Sequence, residues 1–103
     1  MINTEPFNFV KYGENQASII LEADKKYQLF EKNVIEPTGY LWEKIVQSYL
    51  ETACPEKSAK VIYDSEAGMF ACYGMIADME NVLEVLVALL HNDERLETLI
   101  QAV

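Results

Sequence analysis

The clearest pattern in the chain is a helical repeat of apolar residues between positions 41 and 53. The apolar positions are Trp42, Ile45, Val46, Tyr49, Leu50 and Ala53. Spacings of three and four residues place them on one face of an α-helix, and polar residues fill the opposite face. Pro55 follows, where a proline cannot continue a helix. The pattern therefore predicts a helix over Leu41–Ala53 with one buried face.

Two more helices are predicted towards the end of the chain. Asp78 stands before Met79–His91, and Asp93 stands before Glu94–Ala102. Aspartate is a favoured N-cap residue because its carboxylate accepts a hydrogen bond from a free amide of the first helical turn. We therefore expect both aspartates to begin helices, and the single histidine, His91, to lie where the first of them ends.

The first of these helices carries an unusually apolar segment. Within Val82–Leu90 only Glu84 is polar. A helix that is apolar nearly all round must be covered on more than one side. The sheet and the last helix could supply that cover, or a second copy of the chain could, and the sequence leaves both alternatives open.

Strand patterns come in two pairs. Phe7–Tyr12 and Ser18–Glu22 are rich in branched and aromatic residues, and Gly13–Asn15 reads as the turn between them. Between the first pair and the first long helix, Lys25–Lys32 is ambiguous. The pattern of this segment favours a short helix that ends near Asn33 and that Asp24 could cap. The alternative is that the segment forms a third strand.

The second pair, Lys60–Asp64 and Met69–Tyr73, is predicted to form a hairpin with the loop Ser65–Gly68. We expect Gly68 to adopt the positive φ that many such loops require. Alternation along the strands assigns Ile62, Phe70 and Cys72 to one face of the sheet. It assigns Val61, Tyr63, Ala71 and Tyr73 to the other.

The order of elements predicts a single α+β domain over residues 1–103. The order is strand, strand, short helix, helix, strand, strand, helix, helix, which we write β-β-(short α)-α-β-β-α-α. Hairpin pairs imply an antiparallel sheet, and the helices are expected to pack mainly on one of its faces. A chain of 103 residues is long enough to bury one core.

Charge narrows the kind of partner. Acidic residues outnumber basic ones by 17 to 8, which gives a net charge of −9. That charge disfavours nucleic acid and anionic membrane surfaces as partners. Residues 61–103 contain eight acidic residues and only Arg95 as a base. This acidic half is either a solvated surface that keeps the protein soluble or a field that attracts a cationic partner.

The sequence shows no catalytic or metal-binding constellation, so we expect no enzyme activity, cofactor or metal. His91 at a helix end suits a capping role, and Cys54 and Cys72 lack paired zinc-ligand spacing. Both thiols are expected to be reduced packing residues of a cytoplasmic protein. The longest apolar stretch, Val85–Leu90, has six residues, whereas a membrane span needs about twenty.

Two segments resemble a known family. Gly39-Tyr40-Leu41-Trp42-Glu43 precedes the amphipathic helix, and Tyr63-Asp64-Ser65-Glu66-Ala67-Gly68-Met69-Phe70 covers the hairpin, followed by Tyr73 and a leucine-rich helical end. Together they resemble the immunity protein 51 family, although Leu41 stands where that pattern has an aspartate. The resemblance implies a small cytoplasmic α+β protein that binds and silences a cognate toxin in a bacterial polymorphic toxin system.

The leading hypothesis is therefore an immunity protein that blocks a toxin domain by stoichiometric binding. A basic toxin such as a nuclease would suit an acidic inhibitor, whose carboxylates can replace phosphates. The residues expected to contact the toxin are Tyr63, Asp64, Glu66, Tyr73, Glu80 and Glu84. For Asp64 and Glu66 the competing interpretation is turn chemistry within the loop.

Two other classes of function remain open at this point. One is a homodimeric structural or adaptor module that pairs through the Val82–Leu90 helix. The other is a small acid–base enzyme, which would need a buried carboxylate in a concave pocket to raise the pKa of a general acid.

Overall fold

One antiparallel sheet of four strands forms the base of the fold in residues 5–103, the part of the chain that this computed structural model describes. The strands are β1 (Asn8–Tyr12), β2 (Gln16–Glu22), β3 (Ile62–Tyr63) and β4 (Met69–Met75). Their order across the sheet is β1-β2-β4-β3. Each neighbouring pair is antiparallel, as the hairpin patterns predicted.

Five helices complete the described chain. They are α1 (Tyr27–Lys32), α2 (Gly39–Ala53), α3 (Pro55–Ser58), α4 (Ile76–Leu90) and α5 (Asp93–Ala102). The predicted α+β class is confirmed, and so is the choice of a helix for the ambiguous segment before Asn33. The short helix α3 was not predicted: Pro55 lies past the end of α2, as expected, but it also occupies the first turn of a new helix.

The helices cover one face of the sheet. α2 and α4 pack on the sheet, and α5 packs on both of them and on α1. The core between the layers contains Ile19, Leu21, Phe70 and Cys72 from the sheet and Trp42, Ile45, Val82 and Leu86 from the helices. The apolar helix α4 is therefore covered by elements of its own chain, which is the first of the two alternatives; a homodimer is not needed to bury this helix.

The predicted N-cap residues of α4 and α5 are wrong, by three residues and by one residue respectively. Asp78 lies inside the first turn of α4, whose N-cap residue is Met75, and its carboxylate binds Lys57 of α3 instead. Asp93 is the first residue of α5, because Asn92 caps that helix by accepting a hydrogen bond from the Arg95 amide at 3.1 Å. Asparagine and aspartate are equally good N-caps, so the local sequence offers two candidates in a row.

The cap of α1 was also placed wrongly. Lys26, which adopts a left-handed conformation with φ of 58°, is the N-cap residue, and Asp24 is not. At the start of α2 the hydroxyl of Thr38 accepts a hydrogen bond from the Leu41 amide at 3.0 Å. This cap starts α2 two residues earlier than the apolar pattern indicated.

The β3–β4 hairpin has a different register from the expected one. Glu66 and Met69 exchange backbone hydrogen bonds of 2.8 and 3.1 Å, so only Ala67 and Gly68 form the turn. Gly68 does not adopt a positive φ; the glycine that does is Gly13, before β2. In this register Tyr63 lies opposite Cys72.

The observed pairing contradicts the predicted facing of β3, although the expected four-residue loop, which pairs Asp64 with Met69, gives the same facing as the observed turn. Directly opposed residues of an antiparallel pair share a face, so Tyr63 shares the core face with Cys72. Ile62 lies opposite Tyr73 and shares the other face with it. The assignment of Ile62 to the face of Phe70 was therefore wrong, and so was the assignment of Tyr63 to the face of Tyr73. The Tyr63 ring packs 6.3 Å from the Phe70 ring, measured between centroids.

The hairpin turn docks against the first residue of α2. The Gly39 amide donates a 2.9 Å hydrogen bond to the Ala67 carbonyl. A Cβ atom on Gly39 would overlap the backbone carbonyls of Glu66 and Met69. Only glycine permits this approach, since every other residue carries a Cβ. The Ala23 amide, just after β2, donates to the Gly68 carbonyl at 3.0 Å and holds the turn from the other side.

Trp42 fixes α2 one turn further along. Its side chain is fully buried, and its indole N–H donates a 3.0 Å hydrogen bond to the Ala23 carbonyl. The Phe30 ring of α1 meets it edge to face, with 5.1 Å between ring centroids. A buried indole N–H needs such an acceptor. Gly39 and Trp42 thus bind α2 to two parts of the chain that are far apart in sequence.

Gly39→Ala is expected to lower the free energy of unfolding by about 2 kcal/mol or more, because backbone atoms rather than a flexible side chain would have to move. Urea unfolding followed by circular dichroism measures the loss. Gly68→Ala is the matched control: its Cβ would meet no atom within 4 Å, so a change below about 0.5 kcal/mol is expected. Equal losses for the two variants would contradict the close approach at Gly39.

Tyr63→Phe is expected to leave stability unchanged or to raise it by up to about 1 kcal/mol. The hydroxyl is buried and has no hydrogen-bond partner within residues 5–103, so removing it removes a desolvation cost. Burial also raises the pKa of this hydroxyl above its ordinary value. Tyr63→Ala, which removes the ring beside Phe70, should by contrast destabilise clearly. A loss above 1 kcal/mol for Tyr63→Phe in thermal unfolding would show that the hydroxyl has a partner.

Candidate functional site: the open sheet face

The sheet face opposite the helices is uncovered, and we call it the open sheet face. The strand registers arrange its residues in four rows that cross the sheet. The rows are Tyr12–Gln16–Met75, then Val10–Ser18–Tyr73–Ile62, then Asn8–Ile20–Ala71, and last Glu22–Met69–Glu66. Asp64 extends the third row, because its amide donates to the Ala71 carbonyl at 2.9 Å.

The first two rows form an apolar end. Tyr12, Val10, Ile62 and Met75 are 40%, 46%, 51% and 51% exposed. These four are half of the eight large hydrophobic residues that are exposed within residues 5–103. Single exposed apolar residues are ordinary, but a contiguous group is typical of an interaction surface. The four lie on one face in two groups, Val10 with Tyr12 on β1 and Ile62 with Met75 beside Tyr73, and Gln16 and Ser18 of β2 separate them. The second group is the candidate binding surface.

A pocket of about 440 Å³ lies at the edge of this apolar end. It is lined by Gln16, Lys60, Ile62, Tyr73, Gly74, Met75 and Asp78. The Ile76 amide donates a 2.7 Å hydrogen bond to the Asn15 carbonyl and ties the start of α4 to the β1–β2 turn beside it. The walls therefore come from three strands and from the first turn of α4.

The carboxylate of the pocket is held by lysines. Asp78 accepts a 2.9 Å hydrogen bond from Lys57, and the Lys60 ammonium lies 3.9 Å away. The hydrogen bond from Lys57 is the main reason that the pKa of Asp78 lies below its ordinary value. A general acid needs the opposite shift. Asp78 is therefore suited to hold α3 against α4 and not to donate a proton.

The last two rows form an acidic end. Glu22, Asp64 and Glu66 are all exposed there. Within residues 5–103 the lysine ion pairs use the carboxylates of Asp78, Asp93 and Glu97, and none involves these three. The acidic end therefore presents carboxylates that no basic side chain of the described chain neutralises.

The side-chain carboxylates of Asp64 and Glu66 also make no capping hydrogen bond to the backbone of the hairpin turn. The side chain that binds the hairpin backbone is Ser65, whose hydroxyl accepts a hydrogen bond from the Ala71 amide at 3.2 Å. The Glu66–Met69 pair closes the turn through backbone atoms alone. Asp64 and Glu66 thus lie in the turn region without serving as its caps, which leaves their side chains free for a partner.

The residues that the sequence singled out separate into three groups. Asp64, Glu66 and Tyr73 share the open sheet face. Tyr63 lies on the core side of β3 and does not join them. Glu80 and Glu84 are exposed on α4, which packs on the opposite face of the sheet. They lie on the exposed stripe of that helix, away from its buried residues.

The sequence reasoning missed most of the apolar end: Val10, Tyr12, Ile62 and Met75. One signal was present in residues 7–12, which include β1. Apolar residues there occupy both alternating sets: Phe7 and Phe9 are on the covered side, and Val10 and Tyr12 are on the other. A strand with apolar residues on both faces is either buried on both or has a partner for its outer face. The sequence around Ile62 and Met75 shows no comparable pattern, and only the strand register places these two residues on the open sheet face.

The remaining candidate residues have structural surroundings. Both cysteines are free, and burial raises the pKa of the Cys72 thiol to about 12. His91 is the C-cap residue of α4, at the predicted place, and its amide donates to the Val87 carbonyl at 3.1 Å. Residues 5–103 contain no group of three metal-ligating side chains. In the same range every helix is too short or too polar to cross a bilayer.

Comparison with known proteins gives one match. Comparisons with curated proteins and with solved structures return no significant similarity. The family model of immunity protein 51 matches residues 7–103, nearly the whole chain. That span includes the docked pair of segments around Gly39 and the hairpin turn, as well as every strand of the sheet. The chain therefore belongs to the immunity protein 51 family, whose name assigns it to toxin immunity.

Proposed function

We propose that this protein neutralises a cognate bacterial toxin in the cytoplasm by direct, stoichiometric binding and without catalysis. Family membership supports the immunity role. The observation that carries the mode of action is the pair of exposed carboxylates at Asp64 and Glu66, unpaired within the described chain and next to exposed apolar side chains. Aromatic and apolar residues beside charged ones are the usual composition of a protein interface.

The charge of the protein supports a toxin with a basic surface. A net charge of −9 at this size attracts cationic partners and speeds their encounter. A nuclease is one toxin class that fits, because its substrate-binding cleft must be cationic to hold phosphates. Carboxylates of the inhibitor can occupy such a cleft in place of phosphates, which would block substrate without any chemical step.

Among the six residues expected from the sequence, we propose Asp64, Glu66 and Tyr73 as toxin contacts. Tyr63 supports β3 from the core side through its packing on Phe70. Glu80 and Glu84 contribute to the overall negative field from α4. This division separates local contacts from long-range attraction, and the two can be tested against each other.

Stoichiometric binding predicts that toxin activity falls linearly as this protein is added and reaches its minimum at one equivalent. The probe is a toxin domain cloned from a gene adjacent to that of this protein. Its activity is assayed during the titration, and light scattering measures the mass of the complex. Co-expression should rescue cells from the same toxin. Protection at far less than one equivalent would contradict binding without turnover, and the absence of any complex would contradict the proposal altogether.

Reversing two charges at the acidic end is expected to weaken the complex strongly. The variant Asp64→Lys with Glu66→Lys should lose at least about tenfold in affinity, since truncating or reversing close charges at an interface costs well over 1 kcal/mol. The matched control is Glu80→Lys with Glu84→Lys, which changes the net charge by the same amount on α4. It should slow association at low salt and leave the dissociation rate nearly unchanged.

Surface plasmon resonance at low and high salt separates these two effects. Circular dichroism establishes that both double variants fold, as expected for exposed positions. Unchanged affinity of the Asp64/Glu66 variant would remove these residues from the site. Equal losses in the two variants would indicate that net charge, and not the acidic end, governs binding.

A further inference from the structure

The open sheet face has two ends of different chemistry on one rigid surface. Ile62 and Tyr73 bound the pocket at the apolar end, and Glu66 lies four residues further along the same hairpin. At about 3.3 Å per residue, the pocket and the carboxylate of the turn are about 13 Å apart. Because β4 pairs with a strand on each side, this spacing is set by the sheet.

The pocket is suited to hold an apolar side chain. Ile62 and Met75 are both 51% exposed, and Tyr73 is partly covered between them and β2. Its one carboxylate, on Asp78, is already bound by Lys57. Anchor residues of interfaces are large apolar or aromatic side chains that fill such a pocket at the centre of the contact, with charged groups towards the rim.

Charge decides between a toxin and a second copy of the chain as the occupant. Two copies packed face to face with their acidic ends together would bring the unpaired carboxylates of Glu22, Asp64 and Glu66 towards those of the partner copy. Each copy also carries a net charge of −9, so they repel one another. A basic surface meets the same carboxylates favourably.

We infer that the open sheet face is the toxin-docking surface, and that the toxin inserts one apolar side chain between Ile62, Tyr73 and Met75. Basic residues of the toxin meet Asp64, about 7 Å from that anchor along the hairpin, and Glu66, about 13 Å from it. This inference rests on the proposed function and adds to it the surface, the orientation and the chemistry of the anchor. Apart from the first turn of α4, which lines the pocket, the helical layer takes no part in the contact.

Substitutions that remove apolar surface without changing charge test the inference. Ile62→Gln and Met75→Gln should each weaken toxin binding at least about tenfold, mostly through faster dissociation. Tyr27→Gln is the matched control, since Tyr27 is also 51% exposed but lies on α1 in the helical layer. It should change affinity less than about twofold. Isothermal titration calorimetry measures all three, with the toxin domain that the unmodified protein binds as the ligand.

A measurement on the unmodified chain covers the case in which a variant fails to fold. Methyl NMR should show the Ile62 and Met75 signals shifting when the toxin domain is added, while the methyl signals of Val34 and Leu99 on the helical layer do not. Shifts confined to the helical layer, or unchanged affinity for both pocket variants, would overturn the inference. So would light scattering that shows a dimer whose formation Ile62→Gln abolishes.

Failure of the inference is distinguishable from failure of the proposed function. If the unmodified protein binds the toxin but the pocket variants bind equally well, the function stands and the docking surface is elsewhere. If the unmodified protein forms no complex with the toxin, the function itself fails.

Discussion

The close approach of Gly39 to the hairpin turn is the contact on which the rest of the structure depends. It joins the start of α2 to the Ala67 carbonyl, and it leaves no space for a Cβ. The turn that Gly39 contacts has only two residues, and a two-residue turn fixes the register of both flanking strands. That register directs Tyr63 into the core and Ile62 outwards. The position of Ile62 on the open sheet face thus depends on the turn that Gly39 contacts.

The open sheet face is exposed because no helix of the described chain covers it. All of the large helices pack on the opposite side, where α4 needs cover on several sides because it is apolar nearly all round. Satisfying that need within a chain of 103 residues uses the sheet, α2 and α5 together. No helix remains for the second face, which keeps Val10, Ile62 and Met75 in contact with solvent.

The sequence predicted the features that depend on local periodicity. Local periodicity predicted the helices α2, α4 and α5 and both hairpins. Burial of one face of a helix or strand imposes a regular repeat of apolar residues along it. The caps were less predictable, since Asn92 and Asp93 have equal capping chemistry and geometry alone selects one. The facing of Tyr63 was assigned wrongly for another reason: alternation shows which residues of one strand share a face, but it does not show which face of the neighbouring strand they join. The observed turn is two residues shorter than the expected loop, and a shift of two residues leaves the faces unchanged.

The open sheet face could not be read from the sequence for a different reason. Its row through Val10, Ser18, Tyr73 and Ile62 joins four strands and exists only once their order is known. The segments that resemble the family carry structural contacts, since Gly39 accommodates the turn and Trp42 and Phe70 fill the core, but they also carry the exposed Asp64 and Glu66. Val10, Ile62 and Met75 lie outside both segments and outside the core. Substitutions at such positions are expected to alter the surface without disturbing the Gly39 contact or the packing, so one scaffold of this kind can present different surfaces.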